Sequence, residues 1–435
     1  MNYKNLTFLL LLLSFFNGFA QVYKPLDSAD YLKRKDFLKI TKEKNDILIK
    51  GFKNKYPGKV GSKLKEYYEE FYTEFEKDVK NKDYTFTSEF DKELNAILLE
   101  LKKNNPQIPQ NLKVLVAKDN MPNAFCLPDG TFIINMGLFN WMENRDQIAG
   151  ILSHEIAHNL QEHSLKMLLQ QINEDTLDKE AVANIKTLSA NKSKTAFDLF
   201  KDREYKRGVE KRKQEMRADS LGYALFKNSG FKKIEFINAL NNLKDFDSIS
   251  PRELKIETYK KLFDLPNHPF KEKWMKNEDF SLYNYDFYKE KLDKDSLSSH
   301  PEMTKRIELL QKIFIELKTP EEALKPDKSF EDLQKIARME ILPNLYHSED
   351  YGVGVYAIMQ FLQDQEDEEY YKEWLGKVFA KIYEARKNYN LNRYLDRVEP
   401  KNQSKSYQQF LNFMWNLSMD DIQNISDFYN KKGTS

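Results

Sequence analysis

A mostly helical α+β fold is what this sequence predicts, and three observations carry the prediction. Apolar residues recur at helical spacing along most of the 435 residues. Strand-like stretches cluster only between about 112 and 135, around a Pro128-Asp129-Gly130 turn, which is enough for a small antiparallel sheet. Beyond about 319, helical patterns alternate with turns to the end, so a helical C-terminal region follows the mixed part. The length suits two or three domains with real cores.

Taken in order, residues 1–20 open with Lys4, run apolar from Leu6 to Phe16 and end on the small residues Gly18 and Ala20. That is the build of a signal peptide cleaved before Gln21, and the expected location is therefore outside the cytoplasm, periplasmic or extracellular. No later stretch approaches the roughly 18 apolar residues of a membrane span, so no transmembrane helix is expected in the mature chain. Residues 21–85 read as an N-terminal helical region. There Leu64, Tyr67, Tyr68, Phe71, Phe75 and Val79 form a stripe best explained as a packing face.

The block from 86 to 318 is denser. Phe90–Leu101 reads as a helix and Leu112–Ala117 as a strand. "NAFCLPDGTFIINMG" reads as a short strand, a turn and a second strand ending near Asn135. Asn144 and Gln147 have capping-box spacing before a helix whose face is Ile148, Ile151, Leu152 and Ile156. A long polar, mostly helical stretch fills 164–213, another helix covers Phe231–Leu243, and Pro320 and Pro326 mark a boundary. In the C-terminal region, 319–435, "VYAIMQFL" and "EYYKEWLGKVFAKIYEA" fit a helical pair, with no fixed repeat period.

Charge excludes one class of function. Lys plus Arg is 69 against 68 for Asp plus Glu, so no global field draws nucleic acid or another polyanion. Cys126 is the only cysteine, so the chain has no internal disulfide. It reads as a small buried apolar residue rather than a nucleophile.

The chemistry lies in "GILSHEIAHNL", Gly150–Leu160. Residues four apart share a helix face, so His154 and His158 can present two imidazoles to one metal ion, and Glu155 can reach a water on it. The same spacing also fits two surface histidines on a packing helix. His163 sits five residues past His158, about 140° around a regular helix, and reads as solvated. "EMRADSLGYAL" puts Glu215 and Asp219 on one helical face. Glu215 can close the coordination sphere while Asp219 accepts the outer N–H of a ligand histidine. The alternative is a salt-bridged helix with Lys211, Arg212 and Arg217.

With these stretches in hand, the sequence resembles the gluzincin metallopeptidases of family M48, which include the CAAX prenyl protease, HtpX and the periplasmic BepA-type proteases. Four segments carry the likeness in family order: "NAFCLPDGTFIINMGLF", "SHEIAHNLQEHS", "EMRADSLGYAL" and "SSHPEMTKRI". The resemblance implies a zincin-like core over 86–318 and one Zn2+ per chain, held by His154, His158 and Glu215. It implies Glu155 as general base and Asp219 as the group orienting a ligand. It also implies Asn123, Ala124 and Phe125 as a substrate-binding edge strand, and His300 with Arg306 as support for the oxyanion. "NHPF" offers a second His-Pro at His268, but six residues beyond it stands Trp274 where His300 has Arg306, and His268 reads as a loop histidine. Three departures remain: the membrane helices of two branches are missing, 164–213 is a polar insertion, and neither the N-terminal helices nor the C-terminal third matches a family element.

The expected activity is zinc-dependent endopeptidase cleavage of extended or misfolded exported or envelope polypeptides, a quality-control role, with partner proteins met by the C-terminal helices. The alternative is an envelope assembly factor or holdase with a structural or regulatory zinc site, in which His300 could fill the open coordination position.

Overall fold

The computed structural model describes residues 23–27, 30–174, 192–248, 252–277, 303–319, 321–364, 366, 368–400 and 403–432. The expected signal peptide and His300 lie outside the described residues. In chain order the elements used below are α1 (Tyr31–Lys55), α2 (Lys59–Lys80), β1 (Tyr84–Thr85), α3 (Glu89–Asn104), β2 (Lys113–Ala117), β3 (Ala124–Cys126) and β4 (Thr131–Asn135). They continue with α4 (Gly137–Trp141), α5 (Arg145–Leu160), α6 (Lys192–Asn228), α7 (Ile234–Ser248), α8 (Ile256–Phe263) and α9 (Met303–Ile313). Last come α10 (Lys328–Met339), α11 (Tyr351–Gln363), α12 (Glu368–Lys387), α13 (Lys405–Asn416) and α14 (Met419–Lys432). Helix thus dominates and strands are few, the mostly helical α+β class expected from the sequence.

The chain divides into two compact units, and neither is one continuous stretch. The first holds the described residues of 27–250 and 280–344. Its sheet runs β1-β2-β4-β3 and is mixed rather than purely antiparallel. β1 pairs antiparallel with β2, β3 antiparallel with β4, and β2 parallel with β4. The parallel pair follows from the tight turn at Leu127–Gly130, where Gly130 takes φ +81. That turn folds β4 back between β2 and β3, so β4 re-enters in the direction of β2 and leaves β3 at the rim. β4 is buried along its whole length, as suits a central strand.

The apolar stripe of α2 packs as expected over most of its length. Phe75 and Val79 join Phe37 of α1 against Tyr84, Leu115 and Ile133 of the sheet. Leu64 and Tyr68 join Ile49 and Phe52 against Ile172 of the helix 163–174. Phe71, between them, is exposed. Helix α5 starts where Asn144 Oδ1 accepts the Gln147 N–H at 3.1 Å. Only this half of the expected capping box forms, because Gln147 Oε1 accepts from the Glu143 N–H instead. Buried Glu235 of α7 accepts from both Asn144 and Gln147, at 3.0 and 2.9 Å, and so clamps the start of α5 to α7.

The second unit holds the described residues of 251–279 and 345–435, together with 23–26. Helices α11, α12 and α14 form its packed centre, so the two segments read as a helical pair do pair. Tyr429 of α14 donates its hydroxyl to the Leu262 carbonyl of α8 at 2.6 Å. Among the described residues no helix is long and apolar enough to cross a membrane.

Candidate metal centre and cleft

The centre is assembled by two helices that cross at contact distance. At Gly222 of α6 a Cβ would stand 2.8 Å from the His154 Cα and 3.1 Å from the Ser153 carbonyl oxygen. The missing side chain therefore lets α6 press directly on α5. One and two turns before that contact, α6 carries Asp219 and Glu215 and delivers both to the His154 and His158 face of α5.

The three expected ligand residues meet. His154 Nε2 and His158 Nε2 are 3.0 Å apart. Glu215 brings Oε2 to 3.6 Å from the first and Oε1 to 3.4 Å from the second. A tetrahedral site with Zn–N and Zn–O distances near 2.05 Å has donor–donor edges of about 3.3 Å, and these three edges bracket that length. Among the described residues this trio is the His/Cys/Asp/Glu group close enough to share an ion.

Hydrogen bonding prepares the donors. His154 Nδ1 lies 2.9 Å from Asp219 Oδ1, which fixes the ring with Nε2 turned toward His158 and Glu215. Asp219 is itself gripped by Arg306 of α9, whose Nε and Nη2 donate to its two oxygens at 2.7 and 2.6 Å. Arg306 Nη1 also lies 3.2 Å from Glu215 Oε2. Burial raises the Asp219 pKa, but the charge and hydrogen bonds of Arg306, with those of His154, outweigh it and hold the carboxyl ionised below its ordinary range. Burial opposes charge on His154, yet its hydrogen bonds to the Asp219 and Glu215 carboxylates lift it to about 9, so without an ion the ring carries a second proton that a bound cation would displace. Burial and the charge of His154 push His158 down to about 3. The pocket thus favours positive charge while keeping one imidazole neutral, as a site for a cation does.

His163 corrects the reading from the sequence. It is only 2% exposed, and its Nδ1 is 2.9 Å from His158 Nδ1. The 140° offset holds only for an unbroken helix, and α5 ends at Leu160. The chain turns through Glu162 at φ +53, and the helix 163–174 then starts with its first side chain folded back on the metal face. Burial holds His163 neutral, down to about 4. One ring must donate to the other. If His158 donates, its own Nε2 turns a bare lone pair toward His154 Nε2 and Glu215, as a metal ligand must.

The other expected site residues fall as follows. Glu155 lines the same cavity as the three ligand residues, as do Asn123, Ala124, Phe125 and Arg306. The first three lie on or beside β3, the rim strand, whose outer edge pairs with no strand among the described residues. Phe125 is 38% exposed there. Cys126 follows on that strand, accepting from Asn159 Nδ2 at 3.3 Å, and burial raises its thiol pKa, so it stays protonated. His268 is in the second unit, bonded to Asp421. His163 and Gly222 were the residues missed. The signal for the first was the lack of any apolar position between Leu160 and Leu165, and for the second a glycine inside a helical pattern.

Comparison with known proteins agrees with this geometry. A stretch of 51 residues, 12% of this chain, is 35% identical to "Mitochondrial metalloendopeptidase OMA1" of Arabidopsis thaliana, and the match covers 10% of that protein. The family model described as Peptidase family M48 matches residues 89–314. That span is more than half of the chain and runs from α3 to the end of α9, through the ligand helices and the strand at the rim, so the chain belongs to peptidase family M48 and carries that family's metallopeptidase domain.

Proposed function

We propose that the chain is a zinc-dependent endopeptidase acting on extended or misfolded polypeptides outside the cytoplasm. The reading rests on one observation: His154, His158 and Glu215 converge at tetrahedral edge lengths in a cavity that also holds Glu155 and the rim strand β3. A zinc ion held by these three would supply a Lewis acid for the scissile carbonyl and lower the pKa of water there. Glu155 takes a proton from the attacking water on its carboxylate and passes it to the leaving nitrogen.

The chain's other residues position the reactants. The backbone of Asn123, Ala124 and Phe125 binds an extended substrate by adding it to β3, which gives affinity with little sequence preference. Asp219 keeps the His154 ring oriented. Three Arg306 nitrogens are held by Asp219 and Glu215, so its part is to orient those carboxylates and add positive charge where the carbonyl oxygen becomes negative. His300 is the proposed partner in that support. Export through residues 1–20 is part of the same proposal.

The test is cleavage of casein by the purified, zinc-loaded chain and by Glu155→Gln. The variant should lose about 10²–10⁴ in rate while keeping its zinc. Equal cleavage by the two proteins defeats the assigned role of Glu155. Zinc bound with no cleavage by either favours a holdase.

A further inference from the structure

The rim strand β3 is three residues long and pairs with β4 alone among the described strands. So short a ladder does little to fix its own position, and the loop 118–123 that leads into it matters correspondingly more. Gly137, at the start of α4, lies against that loop: a Cβ there would stand 2.2 Å from the Asn120 carbonyl oxygen. Its N–H donates to the Asp119 carbonyl at 2.8 Å, and the Asn135 N–H reaches the Asn123 carbonyl at 2.9 Å. These contacts tie the loop backbone to α4 and to the sheet.

The Asn120 side chain adds a tie to a segment beyond residue 314, where the family match ends. Its Nδ2 donates to the Ile341 carbonyl at 2.9 Å, and its Oδ1 accepts from Asn344 Nδ2 at 3.1 Å. Both partners lie on the short helix Ile341–His347. Glu340, buried just before that helix, acts through its charge on Lys118 at the start of the loop. Asn344 is itself buried, and its Oδ1 has no hydrogen-bond partner among the described residues. Its Nδ2 serves Asn120 and, at 3.7 Å, Met136 Sδ. An unpaired buried acceptor costs more than one neutral hydrogen bond to a half-buried partner returns. A leucine would fill similar space without that cost, so packing does not account for an amide here. What the amide does is hold Asn120.

We propose that Asn120 and Asn344 are positioning residues for substrate binding. The segment 340–344 holds the loop 118–123, and through it the strand edge at which a substrate chain pairs. The proposal rests on the reading that a polypeptide adds to β3, and it names the residues of this chain that govern that step. Pro122, Asn123, Ala124 and Phe125 line the metal cavity; Asn120 and Asn344 stand behind them and touch no reacting atom. Paired strands lie about 4.8 Å apart, and their hydrogen bonds tolerate only a few tenths of an ångström. A shift of about 1 Å at β3 therefore breaks pairing with the substrate while leaving the ligands of the ion, on α5 and α6, in place. The loss falls on binding of an extended chain, not on the chemical step.

The test uses the full, zinc-loaded chain and two unstructured peptides cleaved at the same bond. One is long enough to pair along β3, and the other is cut back to the residues next to that bond. Asn344→Leu should raise KM for the long peptide by about tenfold with kcat unchanged, and should alter kcat/KM for the short one by less than about twofold. Its zinc content and unfolding midpoint should match or exceed those of the wild type. Asn120→Ala should reproduce the KM effect, and it decides the matter by the same readout if Asn344→Leu fails to fold. Asn120→Asp, which keeps the acceptor for Asn344 and loses the donor to Ile341, should fall between. The double variant should be no worse than Asn120→Ala alone, because both act through one contact. An unchanged KM for the long peptide, an equal loss on both peptides, or a fall in kcat overturns the proposal. So does wild-type cleavage of the two peptides with equal kcat/KM, and each of these leaves the peptidase reading standing. No cleavage of either peptide, with Glu155→Gln indistinguishable, sinks the peptidase reading and this proposal with it.

Discussion

The two units each bury an aspartate beside a histidine, and the two clusters do opposite things. In the second unit Asp421 is fully buried and ringed by donors. It accepts from His268 Nε2 at 2.8 Å, Lys271 Nζ at 2.5 Å and Trp274 Nε1 at 3.1 Å. It also accepts from the Ser418 backbone and hydroxyl, at 2.8 and 2.7 Å. Every contact points inward and the carboxylate is saturated, which ties the loop 264–276 to the start of α14. In the first unit Asp219 is equally buried, but its partner His154 turns its remaining nitrogen toward His158 and Glu215 rather than back into the cluster. The nitrogen and oxygen atoms of His154, His158 and Glu215 converge on a cavity there. Buried charge alone does not mark a working site; possible ligand atoms converging on open space do.

The largest effect that tests this contrast is loss of the ion. Glu215→Ala removes one of three donors while the Asp219–His154 pair remains. Zinc content should fall from about one per chain to near zero on dialysis, and cleavage should vanish with it. Elemental analysis of untagged protein reads the outcome, and retained stoichiometric zinc would break the three-donor assignment.

Asp421→Ala should do the reverse, leaving zinc content unchanged while costing about 1–3 kcal/mol of stability, because the buried Trp274 Nε1–H and the Ser418 N–H lose their acceptor. Denaturant unfolding of both proteins measures it. The contrast extends to acid. Although burial raises the Asp421 pKa, the hydrogen bonds of Lys271 and Ser418 with that of His268 hold it well below the ordinary carboxylate range. A depressed folded-state pKa contributes stability fully above the unfolded value, about 3.9, and that contribution fades as pH falls through the folded one. Wild-type stability should therefore drop below about pH 4 more steeply than that of Asp421→Ala. Parallel acid profiles would show that the cluster contributes nothing through its charge.

His163→Ala sits between these extremes. It removes the ring against which His158 Nδ1 is set, at 2.9 Å, without touching a donor to the ion. Outer partners of metal-bound histidines typically contribute 10–100-fold in affinity or activity, and zinc competition against a chelator should show a loss in that range. His163→Gln, which keeps a hydrogen-bonding group, should recover part of it. Affinity unchanged in both variants would make His163 a packing residue only.

The part of this centre that could be read from the sequence is the part that is local. His154, Glu155 and His158 lie within one helical turn of each other, and apolar periodicity with the Asn144 cap announces that helix. Glu215 was a candidate from its spacing to Asp219, but only the resemblance favoured it over a salt-bridged helix, since nothing in a helix about 60 residues away states which neighbour it crosses. The sense of the β2–β4 pairing was hidden for a similar reason: β3, which comes between them in the chain, lies outside them in the sheet. His163 was misread because the chain reverses through Glu162 without the glycine that usually marks a left-handed turn. His268 could be told from His300 by Trp274, and Trp274 is in fact the residue it stacks on, with ring centres 5.7 Å apart.

The smallest expected effect concerns the crossing that makes the site possible. Gly222→Ala places a methyl 2.8 Å from the His154 Cα, with the Ser153 carbonyl at 3.1 Å, so backbone and not a flexible side chain must yield. Overpacking of this kind typically costs about 1–3 kcal/mol, while replacing glycine inside a helix returns up to about 1 kcal/mol. The net change in stability is thus only about 0–2 kcal/mol. The site should feel more than that figure suggests, because α6 can relieve the contact only by moving away from α5, and Glu215 moves with it. Zinc affinity should then fall while the unfolding midpoint barely shifts, and that split separates a positioning glycine from a merely structural one. Equal, small losses in both would mean that the helices part without disturbing the ligands.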